Sequence, residues 1–252
     1  ISIQKQAIIK HEKLEKTLTR SNEELDKFAY IASHDLKSPL RGIAQVVSWV
    51  EDDLKDTISD ETSGHLKLIK NRIERLERLL NDLLDYSRVG RLHGDFKNIA
   101  PEEFILEIFQ LSNPPAEFKC VINTDIQTIE TLHVPLALII RNLVSNAIKH
   151  HDRKDGMLNI TVKDQSEFIE FIIKDDGPGI DPKYHEKVFE VFQTLNARDK
   201  VEGSGIGLSI IRKLVNNYQA KLNLDSDGLN GSTFILHWPK VQRLHEVKNA
   251  SE

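Results

Sequence analysis

Residues 31–40 read IASHDLKSPL. His34 and Asp35 stand side by side inside a helical pattern, and Pro39 follows five residues after the histidine. Proline lacks the N–H that would bond the Asp35 carbonyl, and its ring crowds that carbonyl, so a bend is expected beside the histidine. Upstream, Ala7, His11, Leu14, Leu18, Ser21, Leu25, Phe28 and Ala32 alternate at spacings of three and four, which is the a/d seam of a coiled coil. If Phe28 and Ala32 face that seam, His34 lies ~200° around from Ala32 at ~100° per residue and points outward. A carboxylate that accepts Nδ1–H fixes the imidazole tautomer and leaves the Nε2 lone pair free for attack. Taken as a dipeptide alone, an exposed His-Asp pair is more often a solvated surface than a site.

The apolar rhythm continues through Ile43, Val46, Val47, Val50 and Leu54, and breaks in DTISDETSG at 56–64. It resumes with Leu66, Ile69, Ile73, Leu76, Leu80 and Leu83, and ends near Tyr86 and Ser87. Two antiparallel helices cannot bury both stripes by themselves, whereas a dimeric four-helix bundle can.

Beyond about residue 90 the composition changes to β-rich runs, prolines and most of the glycines. Helices are expected over 101–112, 135–151 and 205–218, and strands over 118–126, 158–163, 168–174, 221–225 and 232–238. Without regular βαβ alternation this reads as an α+β layer with helices on one face. The 252 residues suffice for one large or two modest domains, and the net charge of -5 gives no nucleic-acid footprint. The single cysteine, Cys120, excludes an internal disulfide and fits a reducing, cytoplasmic compartment. No apolar run approaches the ~20 residues of a membrane helix, and no signal peptide is apparent. The first residue is not Met, so the sequence reads as a piece of something longer.

Four signals converge in the second half. Asn142 and Asn146 are one helical turn apart, so both point from one face, and an amide oxygen is a hard ligand suited to Mg²⁺. Lys149, a turn further on, can reach a phosphate. Asp175-Asp176-Gly177-Pro178-Gly179-Ile180 follows a strand; a carboxylate there can accept the adenine amine, and the glycines let a base lie against the backbone. Glu202-Gly203-Ser204-Gly205-Ile206-Gly207-Leu208 opens a helix, where backbone N–H groups and the helix dipole favour phosphate. Val188-Phe189-Glu190-Val191-Phe192 precedes a polar stretch, so its rings suit either a lid anchor or plain core. Each signal has an ordinary reading as surface, turn or core when taken singly.

SHDLKSPLRGI at 33–43 resembles the H box of HisKA-type sensor histidine kinases, and SNEELDKFAYIA at 21–32 resembles the run-in of their soluble, PAS- or phytochrome-linked branch. The resemblance implies that His34 is the phosphoacceptor and Asp35 its acid/base neighbour, with Lys37 at the family's basic position. Ser38 stands where many members carry the Thr or Asn that orients a dephosphorylating water, which makes it the phosphatase candidate. In order and spacing the four later signals resemble the N, G1, F and G2 boxes of the GHKL (Bergerat) ATP-binding domain, and GSTFILHWP at 231–239 resembles its last element. By that resemblance Asn146 and Asn142 sit at Mg²⁺, Lys149 lies near the phosphates and Asp175 on adenine, with Gly177 and Gly179 flanking the base. Gly203, Gly205 and Gly207 would lie at the phosphates and lid hinge. Ile180, Phe192, Leu208 and Thr233 join the nucleotide set, and His150 replaces the more usual Tyr. Arg198 or Lys200, in the lid, would offset phosphate charge.

GHKL ATPases of the chaperone and topoisomerase class carry a Glu four residues before the metal Asn as general base. Asn142 occupies that position here, so His34 is expected to receive the phosphoryl group in place of water. The implied organisation is a coiled-coil signalling helix at 1–27, a dimerisation and phosphotransfer domain at 28–90 and a linker at 91–98. The catalytic ATP-binding domain spans 99–240, with a polar tail at 241–252. The implied partners are a second copy of the chain, an upstream sensor domain and a response-regulator receiver domain. The alternatives are a GHKL-type ATPase and a nucleotide-binding scaffold.

Overall fold

A computed structural model describes residues 17, 30–31, 33–55, 57–89, 95–193 and 204–240. The chain divides into two compact units between Arg88 and Val89. The coiled-coil lead-in at 1–27 lies outside the described residues except for Thr17, which is helical, and so does the tail at 241–252.

The first unit is a helical hairpin. Helix α1 covers residues 33–53, with 30 and 31 also helical, and α2 covers Asp60–Arg88. The break between them is shorter than DTISDETSG suggests, because residues 60–64 already belong to α2. The physical reason is capping. The Ser59 hydroxyl accepts the Thr62 N–H at 3.2 Å, and Asp60 and Glu61 sit in the first turn, where the helix dipole favours negative charge. Glu51 pairs with Lys70 near the turn, and Arg88 lies over the Tyr30 ring at 5.5 Å far from it, so the helices run antiparallel. Val47, Leu66 and Ile73 form a buried cluster with Leu40, Ala44 and Ile58 packed around it. The rest of the stripe stays in solvent: Ile43 is 50% exposed, Val46 52%, Ile69 41% and Leu76 46%. One hairpin therefore leaves an apolar seam uncovered, as the sequence pattern anticipates.

The second unit is an α/β sandwich. A five-stranded sheet has the order β2-β4-β5-β7-β6, where β2 is Lys119–Thr124, β4 Met157–Asp164, β5 Phe168–Asp175, β6 Lys221–Asp225 and β7 Thr233–Pro239. Only the β2–β4 pair is parallel; the others are antiparallel. Leu158, Ile160 and Val162, Ile169, Phe171 and Ile173, and Phe234, Leu236 and Trp238 alternate onto one buried face. Three helices supply the other side of that core: α3 (Pro101–Leu111), α4 (His133–Lys149) and α5 (Gly207–Asn217), through Ile105, Leu136, Ile139, Ile140, Leu143, Ile211 and Leu214.

Two short strands are absent from the sequence reading. Residues 96–98, expected in a linker, belong to β1 (Phe96–Ile99), which pairs antiparallel with β3 (Ile129–Leu132). The buried Trp238 indole donates to the Thr131 hydroxyl at 2.8 Å and ties this small sheet to the large one. Cys120 is half-buried on β2, and burial pushes its thiol up to about 11, so it is a poor nucleophile.

Candidate functional site

On the first unit, α1 projects His34 and Asp35 into solvent, with side chains 74% and 71% exposed. The outward direction derived from the heptad register is thus the observed one. His34 Nδ1 and Asp35 Oδ1 are 3.1 Å apart, which orients the ring and leaves Nε2 open to solvent. Ser38, exposed and one turn on at i+4, lies on the same helix face. The helix continues through Pro39, so the missing N–H removes one rung without ending it. Beneath the pair, Ser33 is fully buried, and its hydroxyl has no hydrogen-bond partner among the described residues.

On the second unit Asn142 and Asn146, two of the expected phosphate-side groups, meet the glycine that opens α5. The Asn142 amide donates to the Leu138 carbonyl at 2.7 Å, and its Oδ1 faces the first residue of α5. A Cβ added at Gly207 would lie 2.9 Å from Asn142 Oδ1 and 3.9 Å from Asn146 Oδ1. Glycine is therefore required where the helix N-terminus approaches the two amides. Gly205 has φ +70, and its carbonyl accepts the Phe192 N–H at 2.9 Å. Leu208 is half-buried beside Gly207, and Lys149 and His150 are exposed at the end of α4. Crowding by protein atoms, helped by the Lys149 charge, pulls the His150 imidazole below its ordinary value. Gly203, Arg198 and Lys200 lie outside the described residues.

The aromatic box departs from the plain-core reading of its two rings. Val188 is the member in the core; Phe189 is half-buried under the Arg212 guanidinium at 5.3 Å. Phe192 is 50% exposed and adopts a φ of +65, an unusual backbone state for a bulky residue. It is held there by its bond to Gly205, so the aromatic box and the glycine loop are one structural feature.

The residues expected on the adenine side lie close together as well. Asp175 ends β5, and its Oδ1 accepts the N–H groups of Gly177 at 3.0 Å and Ser232 at 3.3 Å. Among the described residues Oδ2 has no hydrogen-bond partner, so one oxygen remains to accept a donor. Burial pushes this carboxyl up, and the two N–H bonds and His151 only partly oppose it. Gly179 has φ +77, and Gly231 has φ +83, with a hypothetical Cβ at Gly231 only 2.0 Å from the Asp175 carbonyl. The Ser226 hydroxyl accepts the Ile180 N–H at 2.8 Å and donates to the Gly231 carbonyl at 2.6 Å, stitching the two loops together. Thr233 follows Ser232 at the start of β7, beside Lys174.

Sequence reading missed the residues behind this loop. His151, its side chain 1% exposed, contacts Asp176 through Nε2 at 2.8 Å. Asp176 also accepts the Met157 N–H at 2.6 Å and the Arg153 guanidinium at 2.9 Å. Burial opposes ionisation of Asp176, but Met157, His151 and Arg153 outweigh it and hold the carboxyl below its ordinary range. These partners are far apart in sequence, and the only local sign was a second Asp in the DDG turn.

A helical hairpin with an exposed His-Asp pair, carried on one chain with an α/β sandwich whose α4 presents two amides to a glycine-opened helix and whose β5 ends on a carboxylate, points to a class of phosphotransfer protein. Two family profiles match in the same places. Residues 24–91 match the His Kinase A (phospho-acceptor) domain, and residues 131–242 match the histidine kinase-, DNA gyrase B- and HSP90-like ATPase domain. The chain belongs to the HisKA-type histidine kinases.

Among curated proteins it is 29% identical to phytochrome-like protein Cph1 of Synechocystis, over 90% of this chain and 30% of that protein. It is 32% identical to cyanobacterial phytochrome B of Nostoc, over 86% of this chain and 30% of that protein. The methanogenesis regulatory histidine kinase FilI of Methanothrix harundinacea is 30% identical over 86% of this chain and 25% of its own length. The chain thus spans under a third of the length of these relatives. Full-length ShkA in complex with AMPPNP shares the fold, with a TM-score of 0.68 at 20% identity, over 86% of this chain and 46% of that one. ThkA in complex with the response regulator protein TrrA gives a TM-score of 0.56 at 22% identity, over 84% of this chain and 61% of that one. Among the described residues no helix is long and apolar enough to cross a membrane.

Proposed function

We propose that this chain is the catalytic core of a sensor histidine kinase that phosphorylates its own His34 from ATP and passes the phosphoryl group to an aspartate of a receiver domain. The observation that carries the reading is the exposed His34, whose Nδ1 is held by Asp35 at 3.1 Å while Nε2 stays open. The Nε2 lone pair forms the P–N bond to the γ-phosphorus as the P–O bond to ADP breaks, and Asp35 stabilises the charge left on the ring. The P–N bond is labile, which suits a relay.

Asp175 would accept the adenine amine through Oδ2, and Lys149 would meet the phosphates. The two amide oxygens beside Gly207 fit a hard cation, which selects oxygen donors and keeps several waters. Asn142 and Asn146 would hold Mg²⁺, which supplies charge neutralisation on the phosphates. The uncovered seam of Ile43, Val46, Ile69 and Leu76 supports a homodimer through the hairpin. An ATP-consuming site and one unpaired cysteine fit a cytoplasmic location. Ser38 shares the His34 face, where it would orient water if the protein also dephosphorylates its receiver.

Incubating the chain with γ-labelled ATP and Mg²⁺ and mapping the label tests this. Acid-labile phosphate is expected on His34, and His34→Ala should abolish it while nucleotide binding persists. Labelling of His34→Ala at the wild-type level, or steady ATP turnover with no label on the protein, would refute the reading.

A further inference from the structure

His151 stands at a junction. It lies two residues past α4, the helix that carries Asn142, Asn146 and Lys149, yet its side chain reaches back under the turn that follows Asp175. The ring is buried, standing edge-on to Phe118 with centroids 5.2 Å apart. A Cβ at Gly156 would lie 2.6 Å from its Nε2, and one at Gly177 would lie 3.3 Å from its Cδ2. Both glycines are thus fitted around this imidazole. Nε2 donates to Asp176 Oδ1 at 2.8 Å. Nδ1 faces both the N–H and the carbonyl of Arg153, each at 3.0 Å, so the ring is held from both nitrogens. Arg153 itself grips Asp176 through its carboxylate at 2.9 Å and its carbonyl at 3.2 Å.

A buried polar ring with both nitrogens occupied is more than filler. Its Asp176 contact fixes the peptide immediately after Asp175, and its edge packs against the Cα of Gly177, the residue whose N–H holds Asp175 Oδ1. If that turn rotates, Oδ1 loses the Gly177 N–H and Oδ2 loses its aim.

We propose that His151 is the positioning residue for adenine recognition: through Asp176 and Gly177 it sets the direction of the Asp175 carboxylate, and so determines preference for a 6-amino purine. This rests on the assignment of Asp175 to adenine. His151 touches no nucleotide in this scheme. The phosphate-side residues Asn142, Asn146 and Lys149 are not held by it.

The test is nucleotide binding to the full chain, measured by calorimetric titration with ATP and with purine riboside triphosphate, which lacks the 6-amino group. Wild type should prefer ATP by about tenfold, the weight of one hydrogen bond to a charged group, and Asp175→Asn should erase that preference. Absence of the preference in wild type sinks the adenine assignment, and the proposal with it. With the preference present, His151→Phe keeps the ring packing and removes the polar contacts. It should weaken ATP by about tenfold and leave purine riboside triphosphate within about twofold. His151→Gln, whose amide nitrogen can still donate to Asp176, should restore most of the preference. If His151→Phe fails to fold, Asp176→Ala breaks the same contact from the other side and should give the same selective loss. Equal weakening of both nucleotides, or no weakening, in the folded variant overturns the proposal.

Discussion

Asp175→Asn should separate recognition from stability. In the wild type, Oδ1 is committed to Gly177 and Ser232, and among the described residues Oδ2 has no partner. An asparagine keeps a carbonyl oxygen for the two N–H groups but presents an amide N–H where the second oxygen stood, and that meets the adenine amine donor to donor. The loss is one hydrogen bond to a charged group, about 1.5–3 kcal/mol, or about 10- to 150-fold in ATP affinity. Stability should move the other way. Burial raises the folded-state pKa of Asp175, so its favourable contribution is complete below the unfolded value and is lost as pH rises through the folded value. At neutral pH the ionised carboxylate is therefore a cost to the empty protein, and Asn removes it. The thermal midpoint of the nucleotide-free variant should equal or exceed wild type at pH 7, with the gap closing as pH approaches ~4. Titration calorimetry and thermal melts read both effects. ATP affinity within about twofold of wild type would refute the argument, as would a melting midpoint many degrees lower.

Gly207→Ala would place a methyl 2.9 Å from Asn142 Oδ1. It should weaken Mg²⁺-dependent nucleotide binding about tenfold or more, while circular dichroism stays unchanged; Mg²⁺ titrations at fixed ATP analogue check it. Val46→Glu or Ile69→Glu puts a charge on the uncovered seam and should convert a dimer to helical monomers in sedimentation runs, with persistence of the dimer as the opposing result. Asp176 has a depressed folded-state pKa, so its stabilisation is complete above the ordinary carboxylate value and is lost as pH falls below about 4. Asp176→Asn should lower the urea midpoint at pH 7 and flatten its acid decline, whereas a parallel decline in both proteins would contradict this.

The long helices and the strands β4, β5 and β7 were legible because each repeats a period over seven or more residues. FKNI and IETL were not, since four residues carry too little pattern and their pairing partners lie thirty or more positions away. The start of α2 was misjudged because Ser, Thr and Asp signal both turns and helix caps, and only the Ser59–Thr62 bond decides between them. Asn142, Asp175 and the glycines were readable as ordered motifs. His151 was not, because a histidine two residues past a helix gives no hint of Asp176, twenty-five positions on.

Under the proposed reaction the exposure of His34 is a requirement. The same Nε2 must meet the phosphorus of a nucleotide and later the carboxylate of a receiver, two partners of different shape. A buried ring would admit neither, and desolvation would lower its basicity. Exposure alone would leave the ring free to rotate and to sample the wrong tautomer, which explains why the orienting carboxylate is the next residue rather than one brought from elsewhere. Asp35 moves with His34 on the same helix, so their 3.1 Å contact is independent of how the second unit is placed. The nucleotide site uses the opposite arrangement. Asp175, the proposed recognising carboxylate, is half-buried and braced by contacts up to fifty-seven positions apart; serving one ligand, it would gain from rigidity.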